Sequence, residues 1–298
     1  MTTVAVVGAG GYIGRHVVTH LRALGIRVIA MSSRDGTGLD PYTGLLPTDY
    51  AFDETVDGVI YAAQSPQYRN IPAGAWHLLA VNSAAPVQVA VAAVKAGAKN
   101  FIYLSTGNVY RPSFAPLKEA DEVLGTHWYP FSKIQGEQAL KFLKINLQTT
   151  IVRVFAVYGA DQSDKLIPNL IESIETEKPI VLAPRHVGSP DGGLRINPCY
   201  IDDAADVISK LACFGGPEVI NLAGPEIVNI QRIASLWAEL SGKQPVIAEA
   251  ADVRLMDLVA DTTTLSSYIG RPLKSFSEGL SQVAIGRNVS LNALPAAH

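Results

Sequence analysis

The stretch that decides the fold covers residues 4–14 and has the sequence VAVVGAGGYIG. A short apolar run is followed directly by Gly8, Gly11 and Gly14. Glycines at such a place permit a tight turn, let the backbone approach a pyrophosphate and leave room for a helix against the strand. The sequence therefore predicts a strand, a glycine turn and a helix whose N-terminus binds phosphate groups. A glycine-rich turn without a ligand is the alternative.

Short β-rich runs alternate with helical runs through the first half of the chain. After the first strand, further strands are predicted at 27–32, 58–63, 100–106 and 149–155, and helices near 13–24, 84–96 and 130–145. Both faces of the strands are apolar, which is typical of a parallel sheet covered by helices on both sides. The sequence predicts an α/β, Rossmann-type doubly wound parallel sheet.

The pattern changes after Tyr158. A helix near 165–176 is followed by the Pro/Gly-rich stretch APRHVGSPDGG at 183–193, and short helices and loops are expected after residue 224. Between them, VINLAG at 219–224 resembles one more strand of the large sheet. We therefore expect a dinucleotide-binding domain of residues 1–158 plus 197–223. Residues 159–196 plus 224–298 are expected to form a smaller mixed C-terminal substrate domain.

Composition and charge argue against several other classes of protein. The net charge is −3 and no Lys/Arg cluster forms a basic stripe, so neither nucleic acid nor a membrane surface is an expected partner. The two cysteines, Cys199 and Cys213, lack a CxxC spacing, so we expect no metal site, no disulfide framework and a cytoplasmic location. Polar residues and a proline interrupt the apolar stretch 78–94, which predicts a buried Ala-rich helix instead of a membrane span.

The residues that end the second predicted strand bear on the choice of cofactor. An NAD-binding fold normally has an acidic residue there, which accepts hydrogen bonds from the ribose 2′-hydroxyl. Here the positions are Ser32, Ser33 and Arg34. Hydroxyls and a guanidinium suit a 2′-phosphate, which a carboxylate would repel. The sequence favours NADP over NAD. In the alternative, Arg34 is an ordinary loop arginine and Asp35 binds the ribose.

Tyr129 and Lys133 lie four residues apart in a predicted helix, a spacing that puts both on one face. A phenol with a pKa near ~10 is a poor acid–base at neutral pH, and a nearby ammonium favours the phenolate. Thr106 ends a predicted strand at the edge where doubly wound folds bind ligands. A lone Tyr-x-x-x-Lys pair is usually a surface pair. Together with Thr106 and the glycine turn, it predicts a catalytic acid–base, its tuning cation and a hydroxyl that holds the substrate oxygen.

Several segments resemble one known family. YLSTGNVY at 103–110 and YPFSKIQGEQAL at 129–140 resemble the catalytic strand and helix of the extended short-chain dehydrogenase/reductases, also called the NAD-dependent epimerase/dehydratase family. The GxxGxxG spacing is also similar to that family's. Further similar segments are at 60–63, 81–82, 152–159, 200–203 and 260–265. The segment 152–159 departs from the family pattern, because Val154 and Ala156 replace a proline and an asparagine.

The resemblance implies roles for particular residues. Thr106, Tyr129 and Lys133 take the catalytic positions. The implied cofactor-binding residues are Gly8, Gly11, Tyr12, Ile13, Gly14, Ser32, Ser33, Arg34, Ala62, Ala63, Tyr129, Lys133 and Phe155. The implied substrate-binding residues are Gln64, Asn108 and Arg195, of which Arg195 matches an arginine that contacts the diphosphate in sugar-nucleotide members. Arg69 and Arg111 are weaker candidates.

The resemblance also narrows the reaction. Dehydratases of the family carry an Asp-Glu pair directly after the threonine, whereas this chain has Gly107 and Asn108, which disfavours dehydration. We expect an NAD(P)-dependent enzyme that reduces or epimerises a keto or hydroxyl carbon of a sugar nucleotide. The alternatives are a reductase of a non-sugar ketone or aldehyde, and a non-catalytic NADP-sensing protein on the same fold. The family's helix pairing implies a homodimer.

Overall fold

The computed structural model describes residues 2–143 and 147–288. The strands are β1 Thr3–Val7, β2 Arg27–Met31, β3 Gly58–Tyr61, β4 Asn100–Thr106, β5 Gln148–Val154, β6 Val157–Tyr158, β7 Ile180–Leu182, β8 Arg195–Ile196, β9 Cys199–Tyr200, β10 Val219–Leu222, β11 Val228–Asn229 and β12 Ile247–Glu249. The helices are α1 Tyr12–Ala23, α2 Ala75–Leu79, α3 Ala85–Lys95, α4 Trp128–Lys141, α5 Leu166–Glu175, α6 Ile201–Phe214, α7 Ile230–Ser241, α8 Thr263–Ile269 and α9 Phe276–Gly286. A π-helical segment, Ala80–Ala84, joins α2 to α3. The predicted end of the catalytic helix near residue 145 lies outside the described residues.

Six strands form the main sheet in the order β10-β5-β4-β3-β1-β2, and the strands β1 to β5 pair in parallel. The chain runs outward from β1 to β2 in one direction and from β3 to β5 in the other. In the register of the sheet, Val7 pairs with both Met31 and Tyr61. The segments that follow these three residues therefore meet at one edge, at the switch point where doubly wound sheets bind ligands. The predicted Rossmann-type fold is confirmed.

Apolar residues fill the sheet and the helices that cover it. All residues of β1, β3 and β4 are buried. The ring of Tyr61 stacks on those of Phe101 and Tyr103, at centroid distances of 6.5 and 5.9 Å. The helical stretch 75–95 is long and apolar enough to cross a membrane, but more than half of it is buried inside the protein. Val89, Ala90 and Ala93 belong to the core, as the buried-helix prediction requires.

The chain divides into two compact units. The first contains residues 1–111, 119–154 and 204–221, and the second contains residues 112–118, 155–203 and 222–298. The second unit holds three small two-stranded pairings, β6 with β9, β7 with β12 and β8 with β11. Trp237 is fully buried there, and its indole N–H donates to Glu175 Oε1 at 2.8 Å.

After residue 224 the described chain forms the helices α7, α8 and α9, of 12, 7 and 11 residues, and the short strands β11 and β12, which the sequence did not predict. Local signals for α7 and α9 are present in the sequence. The side chain of Asn229 caps α7, and Gly242 ends it with a left-handed backbone, φ 74°. Ser275 and Glu278 form a capping box at the start of α9.

Candidate active site

The glycine turn is closely packed. Gly8 has a φ of +89°, and a Cβ added to it would lie 2.6 Å from the backbone nitrogen of Ala63. A Cβ on Gly14 would lie 2.1 Å from the carbonyl oxygen of Gly8. Only glycine fits either position without movement of the backbone. The turn leads into α1 at Tyr12 and Ile13, and no side chain caps that helix end. This cradle and the helix N-terminus fit the pyrophosphate of a dinucleotide.

Ser32, at the end of β2, lies against this turn. A Cβ on Gly10 would lie 2.8 Å from the Ser32 hydroxyl oxygen, which also accepts a hydrogen bond from the Arg34 N–H at 3.2 Å. Asp35 points to its own loop, where its carboxylate accepts hydrogen bonds from Thr37 that lower the pKa of Asp35. Within the described residues, the guanidinium of Arg34 makes no ion pair. The carboxylate of Asp35 is therefore already hydrogen-bonded within its loop, whereas the guanidinium of Arg34 can still bind an anion.

Tyr129 and Thr106 are in contact. Burial raises the pKa of the Tyr129 phenol, a hydrogen bond with the Thr106 side chain lowers it, and the net shift is upward. Thr106 is buried and ends β4, and its hydroxyl also accepts a hydrogen bond from the Asn108 N–H at 3.2 Å. The ring of Tyr68 lies 6.0 Å from that of Tyr129, centroid to centroid. A phenol in this setting is protonated at neutral pH and can act as a proton donor.

Lys133 lies one helical turn after Tyr129 and is 3% exposed. Its Nζ donates to the Leu104 carbonyl oxygen at 2.8 Å and lies 4.9 Å from the centroid of the Tyr103 ring. Burial lowers the pKa of Lys133 to about 7, and the carboxylate of Glu137 opposes the shift. The expected lowering of the Tyr129 pKa by Lys133 is not found here. Burial is the dominant cause at both groups, and it disfavours the phenolate as well as the ammonium.

Small and polar residues hold α4 close to the π-helical segment. The Ser132 hydroxyl donates to the Tyr129 carbonyl at 2.8 Å and accepts a hydrogen bond from Asn82 Nδ2 at 2.9 Å. A Cβ on Gly136 would lie 2.1 Å from the Asn82 carbonyl oxygen. These contacts fix the first turns of α4, which carry the tyrosine and the lysine. Their signal in the sequence was the Val81–Asn82 pair.

Other predicted site residues have varied surroundings. Ala62 and Ala63 lie beside Gly8 at the end of β3. Ser33, Gln64 and Asn108 are exposed in the first unit. Phe155 is buried in the second unit. The two weaker arginine candidates are engaged elsewhere: Arg111 forms a surface ion pair with Glu122, and Arg69 lies over the ring of Tyr68.

The second unit contains a cluster of arginines around one carboxylate. Arg195 Nε lies 2.7 Å from Asp257 Oδ2, and Arg254 Nε lies 2.9 Å from Asp257 Oδ1. Arg195 also donates to the carbonyl of Phe114 at 3.0 Å, and the guanidinium of Arg185 lies 4.3 Å from the Phe114 ring centroid. Sequence reasoning missed Arg254, although its spacing of three residues from Asp257 was a signal. Arg254 is also paired with Asp191, at 2.7 Å between Nη1 and Oδ1, and its side chain is only 8% exposed. Arg195, whose side chain is 40% exposed, is therefore the guanidinium of this cluster that can bind an anionic group.

A cavity of about 370 Å³ lies in the same unit. Its walls are mostly apolar, with a few polar groups, and include Leu166, Asn169, Leu170, Ser173, Leu182 and Arg254. Arg254 therefore belongs both to the arginine cluster and to the cavity wall. No group of three or more side chains suited to a metal ion is found in the described parts of the chain.

The parallel six-stranded sheet, the glycine turn at its switch point and the pair of Tyr129 and Lys133 define a Rossmann-type α/β protein with a dinucleotide cradle. The chain belongs to the NAD dependent epimerase/dehydratase family, whose model matches residues 4–223.

Individual relatives share the fold at low sequence identity. A UDP-glucose 4-epimerase of Azospirillum brasilense is 25% identical over 300 residues, covering 90% of this chain and 86% of the relative. The structure of MoeE5 in complex with UDP-glucuronic acid and NAD superposes with a TM-score of 0.77 at 24% identity, covering 98% and 100% of the two chains. A dTDP-4-dehydrorhamnose reductase from Clostridium acetobutylicum has a TM-score of 0.80 at 20% identity, covering 96% and 100%.

Proposed function

We propose that the chain is an NAD(P)-dependent enzyme that reduces or epimerises a keto or hydroxyl carbon of a nucleotide-activated sugar. The observation that carries this proposal is the half-buried Tyr129, whose phenol forms a hydrogen bond with Thr106 and which is followed one turn later by the buried Lys133. These groups lie on β4 and α4, at the carboxyl edge of the sheet that also holds the glycine turn. Membership of an epimerase/dehydratase family supports the same reaction class.

The chemistry follows from the protonation states. When bound, the nicotinamide donates or accepts the hydride. Tyr129 gives its proton to the carbonyl oxygen of the substrate during reduction, and its phenolate takes the proton back from the hydroxyl during oxidation. The Thr106 hydroxyl holds the same oxygen. The Lys133 ammonium, when charged, favours the phenolate and can hydrogen-bond the cofactor ribose.

NADP is the proposed cofactor, with NAD as the alternative. Support for NADP comes from Ser32 against the glycine turn, the guanidinium of Arg34, and the carboxylate of Asp35, which is bound to Thr37. Support for NAD comes from the family and from structures of relatives that contain NAD. Fluorescence titrations with NADPH and NADH distinguish the two, because a 2′-phosphate site binds NADPH more tightly.

The proposed substrate class is a UDP-sugar or a related sugar nucleotide. The half-exposed guanidinium of Arg195 suits a diphosphate, and the cavity that Arg254 lines has apolar walls suited to a nucleobase. Relatives are named as UDP-glucose epimerases or contain UDP-sugars. Gly107 and Asn108, which follow Thr106, supply no acid or base for an elimination, so reduction or epimerisation is favoured over dehydration.

We also propose a homodimer. Val91 and Val94 on α3 and Trp128 and Phe131 on α4 are large apolar side chains that are exposed on the single chain. If α3 and α4 of one copy pack against α3 and α4 of a second copy, these side chains become buried between the two copies. Light scattering tests this, with a dimer expected and a monomer at micromolar concentration contradicting it.

The proposed function is tested with the purified protein and a panel of sugar nucleotides. Each sugar nucleotide is incubated with NAD, NADP and their reduced forms, while absorbance at 340 nm reports net oxidation or reduction. Chromatography of the recovered sugar nucleotide reports epimerisation. The proposal predicts turnover for at least one UDP-sugar that Tyr129→Phe abolishes, and equal turnover by that variant would overturn it.

A further inference from the structure

Three residues form a row along α4, at positions 129, 133 and 137, and this row faces β4. Tyr129 contacts Thr106, and Lys133 donates to the Leu104 carbonyl. Glu137 contacts the hydroxyl of Ser105, the residue between those two. A spacing of four keeps the row on one side of the helix. The helix that carries the proposed acid–base is thus joined to the strand at three consecutive residues.

The third member of the row, Glu137, is held from a second strand as well. Arg153 pairs with Ser105 in the register of β5 and β4. Its Nη2 lies 2.8 Å from Glu137 Oε2, and its Nε lies 3.3 Å from Oε1. The side chains of Glu137 and Arg153 are 2% and 5% exposed, so this is a buried ion pair. Both carboxylate oxygens are occupied, and the position of the carboxylate relative to α4 and β4 is fixed.

The charged and titratable groups that surround Glu137, Arg153 and Lys133 all lie in the first unit. The ring of Tyr110 lies under the Arg153 guanidinium, 4.6 Å from its central carbon, and the Glu119 carbonyl accepts a hydrogen bond from Arg153 Nη1 at 3.1 Å. Tyr103 lies beneath the Lys133 ammonium, and Tyr129 lies one turn before it. Tyr103 and Tyr129 are neutral phenols, so the negative charge that acts on Lys133 comes from Glu137.

We propose that Glu137, held by Ser105 and Arg153, is a positioning residue that fixes α4 against β4 and favours the charged form of Lys133. This inference rests on the proposed function for its catalytic meaning, since it acts through Lys133. Buried ion pairs contribute little net stability compared with apolar residues of the same size. The ion pair of Glu137 and Arg153 lies one helical turn from Lys133. We therefore expect its main effect to be on the charge of Lys133 and not on the stability of the fold.

The test is the titration of Lys133, which needs neither substrate nor cofactor. Lysines are labelled with ¹³C at Cε, the Lys133 signal is assigned by its loss in Lys133→Met, and its shift is followed from pH 5 to 10. Wild type should titrate near pH 7. Glu137→Gln keeps the shape but removes the charge, so the midpoint should move to lower pH. Each unit of that shift reduces the charged fraction above the midpoint about tenfold.

Matched variants separate charge from shape. Glu137→Asp keeps the charge and should titrate closer to wild type than Glu137→Gln does. Glu172→Gln, the same substitution on the exposed face of α5, should leave the Lys133 midpoint unchanged. If Glu137→Gln does not fold, the double variant with Arg153→Met leaves no unpaired buried charge. Its midpoint should also fall, because the lost carboxylate acts on Lys133 more strongly than the lost guanidinium.

A folded Glu137→Gln protein, or the double variant, with the wild-type Lys133 midpoint would overturn the inference. That result would leave the proposed function intact, because turnover through Tyr129 is measured separately. Conversely, an inactive wild type with the expected shift in Glu137→Gln would retain the inference about Lys133 and contradict the proposed reaction. Circular dichroism and melting curves show which variants are folded.

Discussion

Gly14→Ala tests the packing of the glycine turn. The added Cβ would lie 2.1 Å from the Gly8 carbonyl oxygen and 2.9 Å from its carbonyl carbon, so α1 has to move by about 1 Å to reach an ordinary contact. Overpacking of this kind costs ~1–3 kcal/mol, and alanine's better helix propensity returns at most ~1 kcal/mol. We expect a net loss of about 2 kcal/mol, which lowers the melting temperature by roughly 4–8 °C.

The same movement shifts the helix N-terminus that faces the cofactor phosphates. Affinity for NADPH and NADH should therefore fall about tenfold or more, which corresponds to about 1.4 kcal/mol. Gly25→Ala, at the other end of α1, is the matched control. Its φ is +74° and nothing lies within 4 Å of an added Cβ, so it should cost about 1 kcal/mol in stability and leave cofactor affinity unchanged. A Gly14→Ala protein with wild-type melting and affinity would refute the close packing.

Three further variants test other parts of the molecule. Arg34→Ala should weaken NADPH binding about tenfold, since a hydrogen bond to a charged group contributes ~1.5–3 kcal/mol, while NADH binding stays within twofold. Equal losses for the two cofactors in fluorescence titrations would contradict the 2′-phosphate site. Burial alone would raise the pKa of Asp257, but hydrogen bonds from Arg195 and Arg254 hold it below its ordinary value. Asp257→Asn should therefore lower the melting temperature at pH 7, with the gap closing as pH falls through the native Asp257 pKa; a gap that persists in acid would speak against this. Glu122→Ala breaks an exposed ion pair and should leave the midpoint of urea unfolding unchanged, because solvent screens the pair; a clear fall of the midpoint would contradict this.

Much of the fold could be predicted from the sequence, because the patterns that indicate it lie within short segments of the chain. The glycine turn after a first apolar run and the regular alternation of strands and helices predict a doubly wound sheet. The structure places five predicted strands and the 219–224 strand in one sheet. The pair of Tyr129 and Lys133 was recognisable from its spacing on a helix, and Thr106 from its place at a strand end.

Features that depend on tertiary packing could not be predicted from the sequence. The spacing predicted that Lys133 lowers the Tyr129 pKa, but burial, which no single segment determines, controls both groups. The ion pair of Arg195 with Asp257 joins residues 62 apart in the chain. The buried pair of Glu137 and Arg153 likewise depends on the register between two strands and a helix.

The central claim is that Tyr129 transfers the proton that accompanies hydride transfer to a sugar nucleotide. The most direct measurement compares single-turnover rates of wild type, Tyr129→Phe and Tyr68→Phe on the UDP-sugar that the wild type converts, with NADPH or NADH affinity measured in parallel. A general acid–base contributes about 10²–10⁴-fold to a rate, so at saturating cofactor Tyr129→Phe should lose at least about 100-fold. Tyr68→Phe, which removes the hydroxyl of the neighbouring ring, should stay near wild type. An unchanged rate in Tyr129→Phe would contradict the account.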